Sequence, residues 1–177
     1  MIYFTADTHF GHEAIIKMCQ RPFDNAEDMN ETLIQKWNEK VKGNDTVYIV
    51  GDMFYRCKNA ESVIARLKGK KKLIIGNHDG SWLNENTEKY FQSIDKFLEF
   101  SDGFRHIALC HYPLMTWKHK EKTYMIHGHI HNDTSSDYWQ IVKTTQNLLN
   151  AGADINFFEP VTFDELLENN ALFKNKN

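Results

Sequence analysis

Several things are scarce in this sequence. It has three cysteines among 177 residues, Cys19, Cys57 and Cys110. They are odd in number and far apart, which excludes a disulfide framework and a CxxC zinc pair and fits a reducing compartment. Proline occurs 3 times and glycine 9 times, too rarely for a collagenous, linker-like or low-complexity chain. Apolar runs such as Val47-Tyr48-Ile49-Val50 are far too short to span a bilayer. The opening Met1-Ile2-Tyr3-Phe4-Thr5-Ala6-Asp7 lacks a basic start and a long apolar stretch. A cytoplasmic protein with no membrane partner is expected. Positive charge is also short, with Lys+Arg 21 against Asp+Glu 24 and a net charge of -3. That balance speaks against a protein built around a nucleic-acid groove.

What is present is ordinary globular material, 41% apolar and 25% charged. The length predicts one domain, residues 1–177, with a core that needs no disulfide or structural metal. Apolar runs predict strands over Ile2–Thr5, Thr46–Val50, Leu73–Ile75, Tyr124–Ile126 and Asn147–Asn150. Phe97–Phe100 and Arg105–Cys110, separated by Asp102-Gly103, read as a hairpin. Met29, Leu33, Trp37 and Val41 recur every four residues and predict a helix over Ala26–Val41. Shorter helices are expected at His12–Cys19, at Ala60–Lys68 and around Glu88–Ile94. Thr162-Phe163-Asp164-Glu165 is a capping box that starts a terminal helix to about Glu168. A frayed polar tail is expected after it. Strands alternate with helices early and hairpins dominate later, an α/β pattern.

The chemistry follows the strands. Asp7 and His9 come after the first, Gly51 and Asp52 after the second, and Gly76-Asn77-His78-Asp79 after the third. His111 follows Cys110, and His127-Gly128-His129-Ile130-His131 follows Ile126. In open α/β sheets the carboxyl ends of strands converge on the binding crevice. Imidazole, carboxylate and amide oxygen without thiolate suit Mn, Fe, Ni or Zn and argue against a structural zinc. Asp7, His9, Asp52, Asn77, His111, His129 and His131 are too many for one ion and suit two ions sharing a carboxylate. Paired metals about 3.5–4 Å apart are a standard arrangement for displacement at phosphorus. Two divalent ions, two aspartates and a bridging hydroxide leave about +1 in such a pocket, which attracts an anionic phosphoester.

Asp7-x-His9, Gly51-Asp52, Gly76-Asn77-His78-Asp79, His111 and Gly128-His129-x-His131 together resemble the calcineurin-like metallophosphoesterase superfamily. Its small single-domain bacterial and phage-type members are the nearest in kind. The resemblance covers residues 7 to 131. It implies a four-layer α-β-β-α sandwich of two mixed sheets flanked by helices, with a two-metal site at the strand C-terminal ends. It also implies one metal on Asp7, His9, Asp52 and His131, and a second on Asp52, Asn77, His111 and His129. Manganese is expected first, with Fe, Ni or Zn as substitutes. His78 then assists the leaving group, and Asp79 orients the His78 ring. Phe10 stands between His9 and Gly11 where many members have glycine, so His12 is expected to face substrate. Arg56 matches the arginine of the protein-phosphatase branch, whose second aspartate and last glycine are missing here. Arg56 and Arg21 are expected at phosphate.

The expected activity is hydrolysis of a small phosphodiester or phosphomonoester by a metal-bridging hydroxide. The rivals are a non-catalytic metal-binding or scaffold module on the same fold, and a metal-dependent nuclease. The filled ligand positions weigh against the first, and the net charge against the second. His127 is expected in the core, His106 and His119 at the surface, and Lys70-Lys71-Lys72 in a solvated turn. Oligomeric state is left open.

Overall fold

The computed structural model describes residues 1–175. One sheet contains β1 (Ile2–Thr5), β2 (Thr46–Ile49), β3 (Lys70–Ile74) and β4 (Phe91–Asp95), in that order and all parallel. The other contains β5 (Phe97–Ser101), β6 (His106–Cys110), β7 (Thr123–His127) and β8 (Leu148–Asn150). Its β5–β6 pair is antiparallel and its remaining pairs are parallel. The mixed character expected of both sheets is thus confined to the second. The helices are α1 (Glu13–Met18), α2 (Ala26–Lys40), α3 (Ala60–Arg66), α4 (Glu85–Glu88), α5 (Trp139–Thr144) and α6 (Phe163–Lys174).

The period-2 alternation of strand side chains builds the layers. Tyr3, Val47, Ile49 and Leu73 leave one face of the first sheet and pack with Met29, Leu33 and Trp37 of α2 and Val63 and Ile64 of α3. Their neighbours Phe4, Tyr48, Val50 and Ile74 leave the other face and meet Ile107, Leu109, Ile126 and Leu149 of the second sheet. Ala108, Met125 and Leu148 then pack outward against Trp139, Val142 and Phe173 from α5 and α6. Each fully buried aliphatic or aromatic side chain contributes about 1.5–3 kcal/mol relative to exposure. With both faces of the strands occupied in this way, polar chemistry is left to the strand ends.

Several expectations need correction. Among the described residues, one hairpin forms in the second half, β5–β6; the other strands there run parallel. Residues around Glu88–Ile94 are not a helix but the end of α4 followed by edge strand β4. Lys70-Lys71-Lys72 lies in β3, where Lys71 is buried and its Nζ donates to Leu67 O at 2.7 Å. The terminal helix continues to Lys174 because Asn170, Phe173 and Lys174 are buried against the second sheet. Residues 176–177 of the expected frayed tail lie outside the described residues. The capping box forms as expected, with Thr162 and Glu165 bonding reciprocally. No helix among the described residues is long and apolar enough to cross a membrane.

Candidate metal centre

Parallel pairing places the C-terminal ends of β1, β2 and β3 on one edge, and β6 and β7 deliver their ends likewise. The loops that leave these ends are bent hard. Asp7, His9, Asp52, His129 and His131 all have positive φ, at 52°, 51°, 52°, 71° and 49°. Non-glycine residues held in sparsely populated regions cost about 1–3 kcal/mol each and persist only where the surroundings fix them. Here the surroundings include main-chain bonds between loops, Asp7 N–H to Gly51 O at 3.0 Å and His9 N–H to Asp52 O at 3.2 Å. Gly51 has φ +87°, and a Cβ there would strike the His111 ring. Gly76 has no such φ; its requirement is space, since a Cβ would strike the Asp52 carboxylate.

The predicted ligands form two donor groups, and a further set, Cys19, His131 and Asp154, shares His131 with the first. Asp7, His9 and His131 offer ligand atoms all within 4.8 Å of one another, and so do Asp52, His111 and His129. Asn77 Oδ1 lies 3.0 Å from His111 Nε2 and so joins the second group. Asp52 Oδ2 stands between the groups, 3.8 Å from His9 Nε2 and 3.4 Å from His111 Nε2. His111 Nδ1 bonds Val50 O at 2.9 Å, which aims Nε2 into the site. His131 Nδ1 is held at 2.8 Å by Asp154 Oδ2.

Asp7 Oδ1 and both ring nitrogens of His9 are buried without any hydrogen-bond partner. Unpartnered buried polar atoms are costly, and a set of carboxylate and imidazole donors converging on one space is what a divalent cation satisfies. The donors therefore fit a divalent metal. Burial lifts the Asp7 carboxyl to about 6 and pushes the His9 ring down to about 2. Burial also opposes ionisation of Asp52, but the His111 hydrogen bond and charge outweigh it and hold that carboxyl at about 2. His111 and His131 resist the burial penalty through Asp52 and Asp154 respectively, and rise to about 9 and about 10.

Other expected site residues sit differently. Arg21 is not at the substrate face. Its side chain is buried, donates to Thr8 O and Asp7 O at 2.9 and 2.7 Å, and pairs with Asp154 at 2.8 Å. Asp154, absent from the sequence-based set, thus links Arg21 to His131. The pair spans 133 positions, and no local signal connects them. Asp79 does not reach the His78 ring. Its oxygens accept from the backbone N–H of Asp52, Met53 and Gly76 and from Trp82 Nε1, at 2.7–2.9 Å. It braces the loops after β2 and β3.

His78 lies at the edge of the site, with a side chain 39% exposed and Nε2 3.9 Å from Asp52 Oδ2. Its backbone N–H donates to Asp52 Oδ1 at 2.8 Å. His12 stacks on Tyr55 at 3.9 Å, and Tyr55 meets His78 edge-on at 5.0 Å. Arg56 is exposed beside them, 5.4 Å over the Tyr55 ring. Tyr55 is a rim residue that the sequence reading passed over. His127 is fully buried, as expected, with Nδ1 bonded to Gly128 O.

The calcineurin-like phosphoesterase family model matches residues 1–175. An uncharacterized protein of Methanocaldococcus jannaschii is 32% identical over 94% of this chain and 89% of its own length. The gene 66 protein of Mycobacterium phage L5 is 26% identical over 73% of this chain and 77% of its own. A crystal structure of a protein of unknown function from Aquifex aeolicus superposes with a TM-score of 0.73 at 25% identity, covering 95% of this chain and 98% of that one. The chain belongs to the calcineurin-like phosphoesterase family, whose members imply divalent metal ions and whose ligand-type residues cluster here as described.

Proposed function

We propose that this family member hydrolyses small phosphate esters at a two-metal centre. Asp7, His9, Asp52 and His131 would hold the first metal, and Asp52, Asn77, His111 and His129 the second. The observation that carries this reading is the position of Asp52 Oδ2, within 3.8 Å of one histidine from each group. Divalent ions held there supply Lewis-acid polarisation of phosphoryl oxygens and a water acidic enough to attack near neutral pH. Asp52, placed between the two groups, would screen the two positive charges from each other. Val50 O and Asp154 hold the rings of His111 and His131 so that the opposite nitrogens face the site. His78 stands outside both groups, solvent-facing and anchored through its backbone, and donates the proton that the departing alkoxide takes. His12 and Arg56 line the rim on the His78 side and contact the leaving group.

Manganese is the metal tried first, with iron, nickel and zinc beside it. The test crosses these metals with chromogenic monoesters, diesters and nucleotides, with metal content measured on the same samples. Metal-dependent turnover of at least one ester class, with two ions per chain, supports the reading. Stoichiometric metal without turnover on any ester would favour a metal-binding scaffold instead.

A further inference from the structure

A cavity of about 270 Å³ adjoins the second donor group, and its lining includes neither His78 nor His12 nor Tyr55. It is lined by Asn77 and His111 of that group together with Ile75, Gly76, Lys96, Cys110 and Tyr112. Tyr112 is 46% exposed, and its ring packs edge-on against His129 at 4.6 Å and His111 at 5.2 Å. Lys96 is exposed and has no acidic partner within ion-pair distance among the described residues. The lining thus combines an apolar floor, one aromatic face and one free cation. Pockets that enclose a drug-sized ligand run to about 300–1,000 Å³, so this one suits a single ring system.

The proposed mechanism gives this cavity a place. In-line displacement sends the leaving group toward His78, His12 and Tyr55. A phosphodiester has a second ester group that stays on phosphorus, and it needs room elsewhere around the site. A phosphomonoester has no such group, and a cavity with apolar walls would serve it nothing. We propose that the cavity bounded by Tyr112, Ile75, Cys110 and Lys96 seats the retained ester group of a phosphodiester whose retained group is a flat ring, such as an aryl group or a nucleobase. Tyr112 supplies the face on which the ring stacks, and Lys96 offsets the diester's negative charge. This inference rests on the two-metal phosphoesterase reading and names its substrate class.

The test holds the leaving group constant and varies only what is retained. The metal-loaded protein is assayed with p-nitrophenyl phosphate, methyl p-nitrophenyl phosphate, phenyl p-nitrophenyl phosphate and the p-nitrophenyl ester of thymidine 5′-phosphate. The ring-bearing diesters should exceed the methyl diester in kcat/KM by about tenfold or more, the scale of one aromatic stacking partner. Tyr112→Ala should erase most of that gain, read as the ratio of the ring-bearing diesters to the methyl diester. Calorimetry gives a readout without turnover: diphenyl phosphate should bind about tenfold more tightly than dimethyl phosphate, and Tyr112→Ala should remove the difference. Because Tyr112 touches two proposed ligands, Cys110→Met serves as a second variant. It fills the floor and should weaken the ring-bearing diesters alone. Equal losses on all four esters in both variants, or a monoester preferred over every diester, would overturn the cavity's role while the phosphoesterase reading stands. No turnover of any ester, with diphenyl and dimethyl phosphate bound alike, would take both down.

Discussion

The two halves of the centre are built to different standards. Asp7 and His9 are buried, and His131 is clamped from behind by Asp154, which Arg21 holds in turn. Arg21 also grips the carbonyls of Asp7 and Thr8, so one buried guanidinium fixes both the first ligand loop and the carboxylate that aims His131. In the second half, His129 and Asn77 are exposed, and a cavity opens beside His111. There the His111 ring is held from behind by Val50 O, with no carboxylate behind it. The difference points to division of labour. On the proposed two-metal reading, the buried half would be preorganised to hold its ion tightly, and the open half would hold its ion more loosely and meet substrate.

The largest way to break this comparison is to remove what the halves share. Asp52→Ala should empty both, because the carboxylate serves each group and screens their mutual repulsion. Metal per chain should fall far below that of His9→Ala, which removes a ligand from one half only. Near-stoichiometric metal in both variants would show that Asp52 does not bridge.

The next effect separates chemistry from coordination. His78→Ala should keep both metals and lose about 10²–10⁴ in rate, the usual scale for a general acid. The loss should be greatest for alkyl or nucleoside leaving groups and smallest for nitrophenolate, which needs no proton. A uniform loss would place His78 beside a non-bridging oxygen as a charge stabiliser, and metal loss would place it in the coordination shell.

A smaller effect sharpens the contrast between the halves. Asp154→Asn or Arg21→Lys should weaken metal affinity about 10–100-fold, the range for groups that orient ligands from behind. The loss should fall on the Asp7–His9–His131 half and spare the other. Lysine cannot reproduce the fork that reaches Asp154, Asp7 and Thr8 together. Equal weakening of both ions would remove the special status of the buried half.

The smallest effect concerns another buried cation, Lys174. Arg21 has a carboxylate partner, whereas the Lys174 ammonium donates to the carbonyls of Thr145 and Leu148. Burial lowers Lys174 from 10.5 to about 8. Between those values the unfolded chain binds more protons than the folded one, so the Lys174 contribution to stability rises with pH from about 8 to 10.5. Comparing Tm of wild type and Lys174→Met from pH 7 to 10 checks the sign: wild type should gain on the variant as pH rises. Parallel curves would mean that the amine is not held neutral by the fold.

How much of this the sequence disclosed follows from where each signal lies. The candidate ligands were legible because each short motif follows an apolar run, and strand ends converge when strands run parallel. The α2 helix was legible from its four-residue repeat. β4 was not, because edge strand Phe91–Asp95 is only half-buried and carries Gln92 and Ser93. The end of α6 looked like a polar tail because Asn170 is polar. In the fold its amide accepts from Asn150 N–H at 2.7 Å and donates to Asn150 O at 3.0 Å, closing the edge of β8. Asp79 carries the aspartate that a histidine-orienting role requires, but its backbone partners could not be read from spacing. The same holds for Arg21 and Asp154, whose pairing exists only in the folded chain.

The most direct measurement is a calorimetric titration of metal-free protein with Mn²⁺, repeated on His9→Ala and His111→Ala. Two ions per chain should bind in two steps of unequal affinity. His9→Ala should abolish the tighter step and His111→Ala the weaker one. A single ion per chain, two indistinguishable steps, or the tight step surviving in His9→Ala would contradict a shared centre with one buried half and one open half.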